Sequence, residues 1–264
     1  MQLQAIPIFT DNYVWVLTEG SDAVVVDPGD AAPVAGFLQD RALNLAAILV
    51  THHHPDHIAG IPALLASRPV PVYGPADEAG KIKLLSHPLH DGDIVDVLGQ
   101  RLQVLAVPGH TLGHIAYVQL DPPAGSAGFV LCGDTLFSAG CGRLFEGTPA
   151  QMHASLQRLN ALPADSRLYC THEYTLSNLA FAQAVEPHNA DIRTHIDTVR
   201  QLRAEGRASV PTELALERRI NPFLRGAVPE VRAAAEVWAG QDLPDESAIF
   251  ATLRKWKDGY RTPV

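Results

Sequence analysis

Short apolar runs separated by turn residues dominate the first two thirds of the chain, and helical spacing replaces them afterwards. Residues 13–18, 23–27 and 46–51 are rich in β-favouring side chains and bounded by Gly, Asp and Asn, so each predicts a strand. A helical pattern separates the second run from the third. Runs at 101–107, 115–120, 128–132 and 167–171 read the same way, which predicts sheets carrying helices on their faces. After about Tyr174, Ile192, Ile196, Val199 and Leu202 recur at helical spacing behind the capping candidates Asn189 and Asp191, with Gly206 as a stop. A further helix is predicted over 245–257, where Ile249, Leu253 and Trp256 form one apolar stripe. The last third is therefore expected to be mainly helical. No solenoid-length repeat and no low-complexity tract interrupts this division.

At 264 residues the chain fits one large domain, or one domain with a smaller appendage, and can bury a sizeable core. Apolar residues make up 47% and charged residues 19%, which predicts a soluble, globular protein. No uninterrupted apolar run reaches the roughly 18 residues that would suggest a membrane span. The opening residues lack a basic leader followed by an apolar stretch and a small-residue cleavage site, so no export signal is expected. Three cysteines, Cys132, Cys141 and Cys170, are too few and too scattered for a disulfide framework or a thiolate zinc cluster, which favours a cytoplasmic setting. A net charge of −9 without a long Lys/Arg cluster argues against a nucleic-acid partner.

Candidate chemistry concentrates in Thr51-His52-His53-His54-Pro55-Asp56-His57, directly after the apolar run at 47–50. Side chains alternate in an extended segment, so His52 and His54 share one side while His53 turns to the other. A turn into a helix near Asp56 would present Asp56 and His57 from another side of the same pocket. The spacing suits a pair of metal ions. Further ligands are expected where loops follow strands, at His110, Asp134 and His172. A carboxylate can bridge two ions, and Asp134 is assigned that role. The first ion would take His52, His54 and His110, and the second Asp56, His57 and His172. This nitrogen and oxygen set suits zinc and also accepts iron or manganese. His114 and Cys132 are read as structural. Asp27, which ends an apolar run, reads equally well as a turn residue or as a support for a ligand.

The Thr-His-x-His-x-Asp-His arrangement, followed in order by His110, Asp134 and His172, resembles the metallo-β-lactamase superfamily. That resemblance implies an α+β fold, an αββα sandwich with metals at one edge. Finer features resemble the glyoxalase II family, the hydroxyacylglutathione hydrolases, over almost the whole chain: Thr10-Asp11-Asn12-Tyr13, Gly140-Cys141-Gly142-Arg143, His172-Glu173-Tyr174-Thr175, Asn221-Pro222-Phe223-Leu224 and the helical C-terminus. The resemblance implies a catalytic domain over 1–173 and a smaller helical substrate-binding domain over 174–264. It also implies that Arg143, Phe145, Tyr174, Arg254 and Lys257 contact the glutathione part of a thioester. Phe145 departs from the tyrosine common in that family, and Cys132 stands where relatives often have threonine.

Arg254 and Lys257 are three residues apart and so neighbour one another on the predicted helix, where two exposed cations could hold a carboxylate. They also fit a solvated helix end. The expected reaction is attack of a metal-bound hydroxide on the carbonyl of an S-(2-hydroxyacyl)glutathione such as S-D-lactoylglutathione, with Asp56 and Asp134 as catalytic carboxylates. Glutathione and a 2-hydroxy acid would be the products, as in methylglyoxal detoxification. The thioester is the expected partner; no membrane, nucleic acid or obligatory protein partner is expected. Alternatives are an iron oxidoreductase resembling the persulfide dioxygenases, a nuclease on the same scaffold, and a metal-binding module without turnover.

Overall fold

Strands buried along consecutive residues need cover on both faces, and residues 12–17 and 23–26 are of this kind. The computed structural model describes residues 1–261; residues 262–264, the end of the expected helical domain, lie outside the described residues. The chain forms two compact units, one from Met1–Ala106 and Leu112–Gly133, the other from Val107–Thr111 and Asp134 onward. Compactness thus groups the segment from Asp134 to Glu173 with the helices, whereas the change of periodicity groups it with the strands.

In the first unit, β1 (Gln2–Ile8), β2 (Asn12–Glu19) and β3 (Asp22–Val26) form an antiparallel meander. Helix α1 (Ala31–Asp40) then crosses to β4 (Asn44–Leu49), which lies parallel to β3. The short helix α2 (Pro55–Ile58) and α3 (Ile61–Ser67) lead to β5 (Val72–Pro75), parallel to β4, and β6 (His87–Leu89) closes the sheet. Val14, Val16, Val25 and Ile48 join Val34 and Leu38 of α1 and Ile61 and Leu64 of α3 in one core. The alternate residues Trp15, Leu17, Val24, Val26 and Leu49 are buried as well, from the other face. Four antiparallel strands follow: β7 (Ile94–Val97), β8 (Gln100–Ala106), β9 (Ile115–Gln119) and β10 (Phe129–Gly133). The Tyr117 hydroxyl of β9 donates to the Val50 carbonyl at 2.9 Å, linking these strands to the end of β4.

The second unit opens with a hairpin of β11 (Leu136–Phe137) and β12 (Gly140–Cys141). Helix α4 (Pro149–Asn160) starts at a reciprocal capping box between Thr148 and Gln151. Strand β13 (Arg167–Cys170) is followed by α5 (Thr175–Val185) and α6 (Ala190–Ala204). Then β14 (Thr212–Glu213) pairs antiparallel with β13, and α7 (Leu214–Ile220), α8 (Pro229–Ala239) and α9 (Glu246–Gly259) complete the unit. Asn189 caps α6 by accepting from the Asp191 and Ile192 amides, and Asp245 caps α9 by accepting from Ala248. Gly206 takes the left-handed φ of +70° just past α6, as its stop signal implied. Ile249 and Leu253 of α9 are fully buried, and Trp256 packs edge-on against Phe181. Among the described residues no helix is long and apolar enough to cross a membrane.

Candidate metal centre

In the first unit the histidine segment leaves the sheet because of one carboxylate. Val50 still donates to Tyr73 O, but the Thr51 amide turns to Asp27 Oδ1 at 2.8 Å, so β4 stops short of the expected end at Thr51. His54 is extended (φ −63°, ψ 146°), and Pro55 then starts α2, placing Asp56 and His57 in its single turn. His52 and His57 are fully buried. His52 Nε2 lies 2.9 Å from His54 Nδ1, while His53 turns to Glu78, with Nδ1 2.9 Å from Oε2. The alternation read from the sequence therefore holds through these residues. His114 is buried and stacks on His52, in keeping with a structural part.

Tautomers follow from the surrounding donors. The Thr51 hydroxyl donates to Asp27 Oδ2 at 2.7 Å, so its oxygen accepts from His52 Nδ1–H at 3.1 Å and leaves a lone pair on His52 Nε2. Asp27 Oδ2 also lies 3.0 Å from His57 Nδ1, which fixes the proton there and turns an unprotonated Nε2 toward Asp56 Oδ2, 3.6 Å away. Asp56 is itself held by the Asn12 amide at 2.9 Å.

The second unit carries the other three candidates. Gly109 adopts φ +152°, and a Cβ there would meet Met152 Cβ at 2.7 Å, so only glycine lets the loop lie against α4. Ser155 Oγ donates to Pro108 O and fixes the same loop. The next residue, His110, donates through Nδ1 to the Arg143 carbonyl at 2.8 Å, leaving a lone pair on Nε2. That Nε2 lies 3.3 Å from Asp134 Oδ2, and His172 Nε2 lies 3.2 Å from the same oxygen. His110, Asp134 and His172 are all buried.

The donor set fits divalent cations. Carboxylate oxygens face the lone pairs of His57 and His110, and those two contacts repel unless positive charge stands among them. The lone pair of His52 lies beside His54 Nδ1. Protonating several buried imidazoles would incur desolvation and mutual repulsion, whereas divalent ions satisfy nitrogen and oxygen donors together. Burial pushes the Cys170 thiol up to about 12 and raises Cys141 as well, so both rest as neutral thiols.

The expected substrate contacts lie on the second unit. Tyr174 stacks on His172, with ring centroids 4.6 Å apart and planes within 5°. Phe145 is largely exposed and meets His110 edge-on. Arg143 is exposed, with Nε 3.6 Å from Asp258. Arg254 departs from its expected exposure: it is 6% exposed, donating to Cys141 O at 2.9 Å and to Asp258 at 3.0 Å. The apolar stripe of α9 draws it inward, so it braces the loop that carries Arg143. Lys257 is half-buried, donates to Ser177 O at 2.8 Å, and is lowered from 10.5 to about 8, chiefly by burial and then by Arg254. The sequence reading missed Asn12 and Asp258 as partners of site residues. Asp258 was detectable as the acidic residue four after Arg254. Asn12 stood in the resembling segment Thr10-Asp11-Asn12-Tyr13, but nothing there pointed to Asp56 as its partner.

Residues 8–172 match the metallo-beta-lactamase superfamily, and residues 173–260 match the hydroxyacylglutathione hydrolase C-terminus. The hydroxyacylglutathione hydrolase of Pseudomonas fluorescens is 52% identical over 98% of this chain and 100% of its own length. That of Cupriavidus metallidurans is 50% identical over 99% and 100%. Among solved structures, ETHE1 from Myxococcus xanthus is 26% identical, with a TM-score of 0.63 over 97% of this chain and 98% of its own. TTHA1623, solved in a di-iron-bound form, is 27% identical, with a TM-score of 0.58 over 85% and 100%. The chain has the metallo-β-lactamase fold and belongs to the hydroxyacylglutathione hydrolase family within that superfamily.

Proposed function

We propose that this protein hydrolyses S-(2-hydroxyacyl)glutathione thioesters, S-D-lactoylglutathione foremost, to glutathione and a 2-hydroxy acid. The observation that carries this reading is the close approach of ring nitrogens of His52, His57 and His110 to imidazole and carboxylate neighbours, in a chain about half identical to hydroxyacylglutathione hydrolases. Two divalent ions would be held, one by His52, His54 and His110, the other by Asp56, His57 and His172, with Asp134 shared. Zinc is the first expectation, with iron or manganese compatible. The di-iron form of TTHA1623 supports a pair of ions. When bound, such ions bring the pKa of water to about 7 and polarise a carbonyl.

The chain's own residues do the rest. Asp56, steadied by Asn12, accepts a hydrogen bond from the attacking water and orients it. The thioester needs no strong general acid, because a free thiol has a pKa of about 8.5 and leaves as thiolate. Arg143 and Lys257 bind the glutathione carboxylates, Arg254 holds the Arg143 loop, and Phe145 and Tyr174 line the approach. In this reading 1–173 performs the chemistry, and 174–264 selects the substrate together with Arg143 and Phe145. A cytoplasmic site of action accords with three buried cysteines that form no disulfide.

Thiol release from S-D-lactoylglutathione, measured beside oxygen uptake with glutathione persulfide, tests the proposal. Rapid thiol release without oxygen consumption is expected. Oxygen uptake with no thioester hydrolysis would favour the oxidoreductase alternative instead.

A further inference from the structure

The hairpin of β11 and β12 begins just after Asp134 and ends just before Arg143. Its legs are locked: Gly142 N donates to Thr135 O at 3.1 Å, and a Cβ on Gly142 would meet Asp134 O at 1.9 Å. Its tip, Ser138-Ala139, includes a left-handed residue, Ala139 at φ +54°. Helices remote in sequence grip that tip. Glu217 of α7, fully buried, accepts from the Ala139 amide at 2.7 Å and the Ser138 hydroxyl at 3.0 Å. The same carboxylate takes the Thr212 hydroxyl at 2.7 Å and the Asn221 amide at 3.0 Å. Asn221 also donates to Phe137 O and Gly140 O, and Asn178 donates to Ser138 O.

We propose that Glu217 is a positioning residue for the metal centre, acting through the hairpin on Asp134 and on the Arg143 carbonyl that orients His110. The inference rests on the metal reading above. A buried carboxylate is costly unless its oxygens are satisfied, and here four donors converge on it. Two of those donors come from the hairpin tip itself. A shift of the tip is passed to both legs, because Gly142 is hydrogen-bonded to Thr135 and packed directly against Asp134. At the foot of the legs stand the Asp134 carboxylate and the carbonyl that holds the His110 tautomer. Glu217 never meets substrate. Its influence is on where two ligands stand.

Three variants separate positioning from simple stabilisation: Glu217→Gln, Glu217→Leu and Thr212→Val. Each is assayed for zinc affinity by chelator competition, for melting temperature after metal removal, and for kcat and KM. Gln can place its carbonyl oxygen against Ala139 and Asn221 and its amide hydrogens against the Ser138 and Thr212 hydroxyls, so zinc affinity should stay within about twofold of the parent. Leu removes the grip and should weaken zinc binding by ~10- to 100-fold, as loss of a ligand's outer support does, with kcat falling more than KM rises. Thr212→Val removes a donor outside the hairpin and should lower melting while leaving zinc affinity unchanged.

Parent-like zinc affinity in a folded Glu217→Leu protein would overturn the inference, as would equal weakening in Thr212→Val. Should Glu217→Leu fail to fold, Ser138→Ala decides, since it deletes only the tip hydroxyl. Several-fold weaker zinc binding there supports positioning, and parent-like binding rejects it. A parent protein that binds no zinc, iron or manganese would instead sink the metal reading, and this inference with it.

Discussion

Asp27 Oδ2 stands 3.0 Å from His57 Nδ1 while accepting the Thr51 hydroxyl at 2.7 Å. One carboxylate thereby ends β4, fixes the tautomer of His57 directly and sets that of His52 through Thr51. Asp27 adopts φ +53°, which turns its side chain across the strand ends toward these partners.

Replacing Asp27 with asparagine keeps the shape but must set an amide N–H against one of these donors. Metal affinity should fall by ~10- to 100-fold and turnover with it, since an outer partner of two ligands is disturbed. Unchanged metal content and rate would show that Asp27 only ends a strand.

Asp134→Ala should remove metal and nearly all turnover, because the carboxylate facing both His110 and His172 is lost. Metal analysis of the purified variant beside its rate is the check. A variant that kept both ions would reject Asp134 as the shared ligand.

His53→Ala should keep its metal and most of its activity, since Nδ1 of the ring is taken by Glu78 and the ring meets His54 only edge-on. The cost falls on stability, roughly 1–3 kcal/mol if a contact to buried Glu78 is left unmade. Loss of one ion equivalent would contradict the placement.

Much of this was legible in the sequence for physical reasons. Strand alternation fixed the opposite directions of His52 and His53, a helix was expected near Asp56 where α2 stands, and Asn189 caps the helix it was expected to cap. Long-range partners were not legible. Nothing local marks Asn12 for Asp56 or Glu217 for the turn at Ala139, because each contact joins residues far apart in the chain. The burial of Arg254 was missed for a related reason: helical spacing gives its neighbours on α9 but not the Cys141 carbonyl that receives it.

Arg254 and Lys257 of α9 should therefore behave differently. Lys257→Ala should mainly raise KM for the glutathione thioester, whereas Arg254→Ala should also lower the melting temperature, by losing buried hydrogen bonds that contribute roughly 1–3 kcal/mol. Equal effects on both quantities in both variants would count against this division.

Acidity provides a separate signature of Lys257. Its folded value of about 8 lies below the ordinary 10.5, so between those limits the unfolded chain holds the extra proton. Stability should accordingly rise with pH across that window, and Lys257→Ala should abolish that part of the rise. The charge that binds a carboxylate disappears over the same range, so kcat/KM should fall above about pH 8 in the parent and less in the variant. Identical profiles would remove Lys257 from substrate binding.

Reconstitution tests the central claim most directly. Metal-stripped protein is titrated with zinc, iron or manganese, and bound ions per chain are counted while S-D-lactoylglutathione hydrolysis is followed on the same samples. The account predicts no hydrolysis without metal and a rate that rises to its plateau as two ions bind per chain. Full thioester hydrolysis by the stripped protein, or saturation with two ions and no hydrolysis, would contradict it.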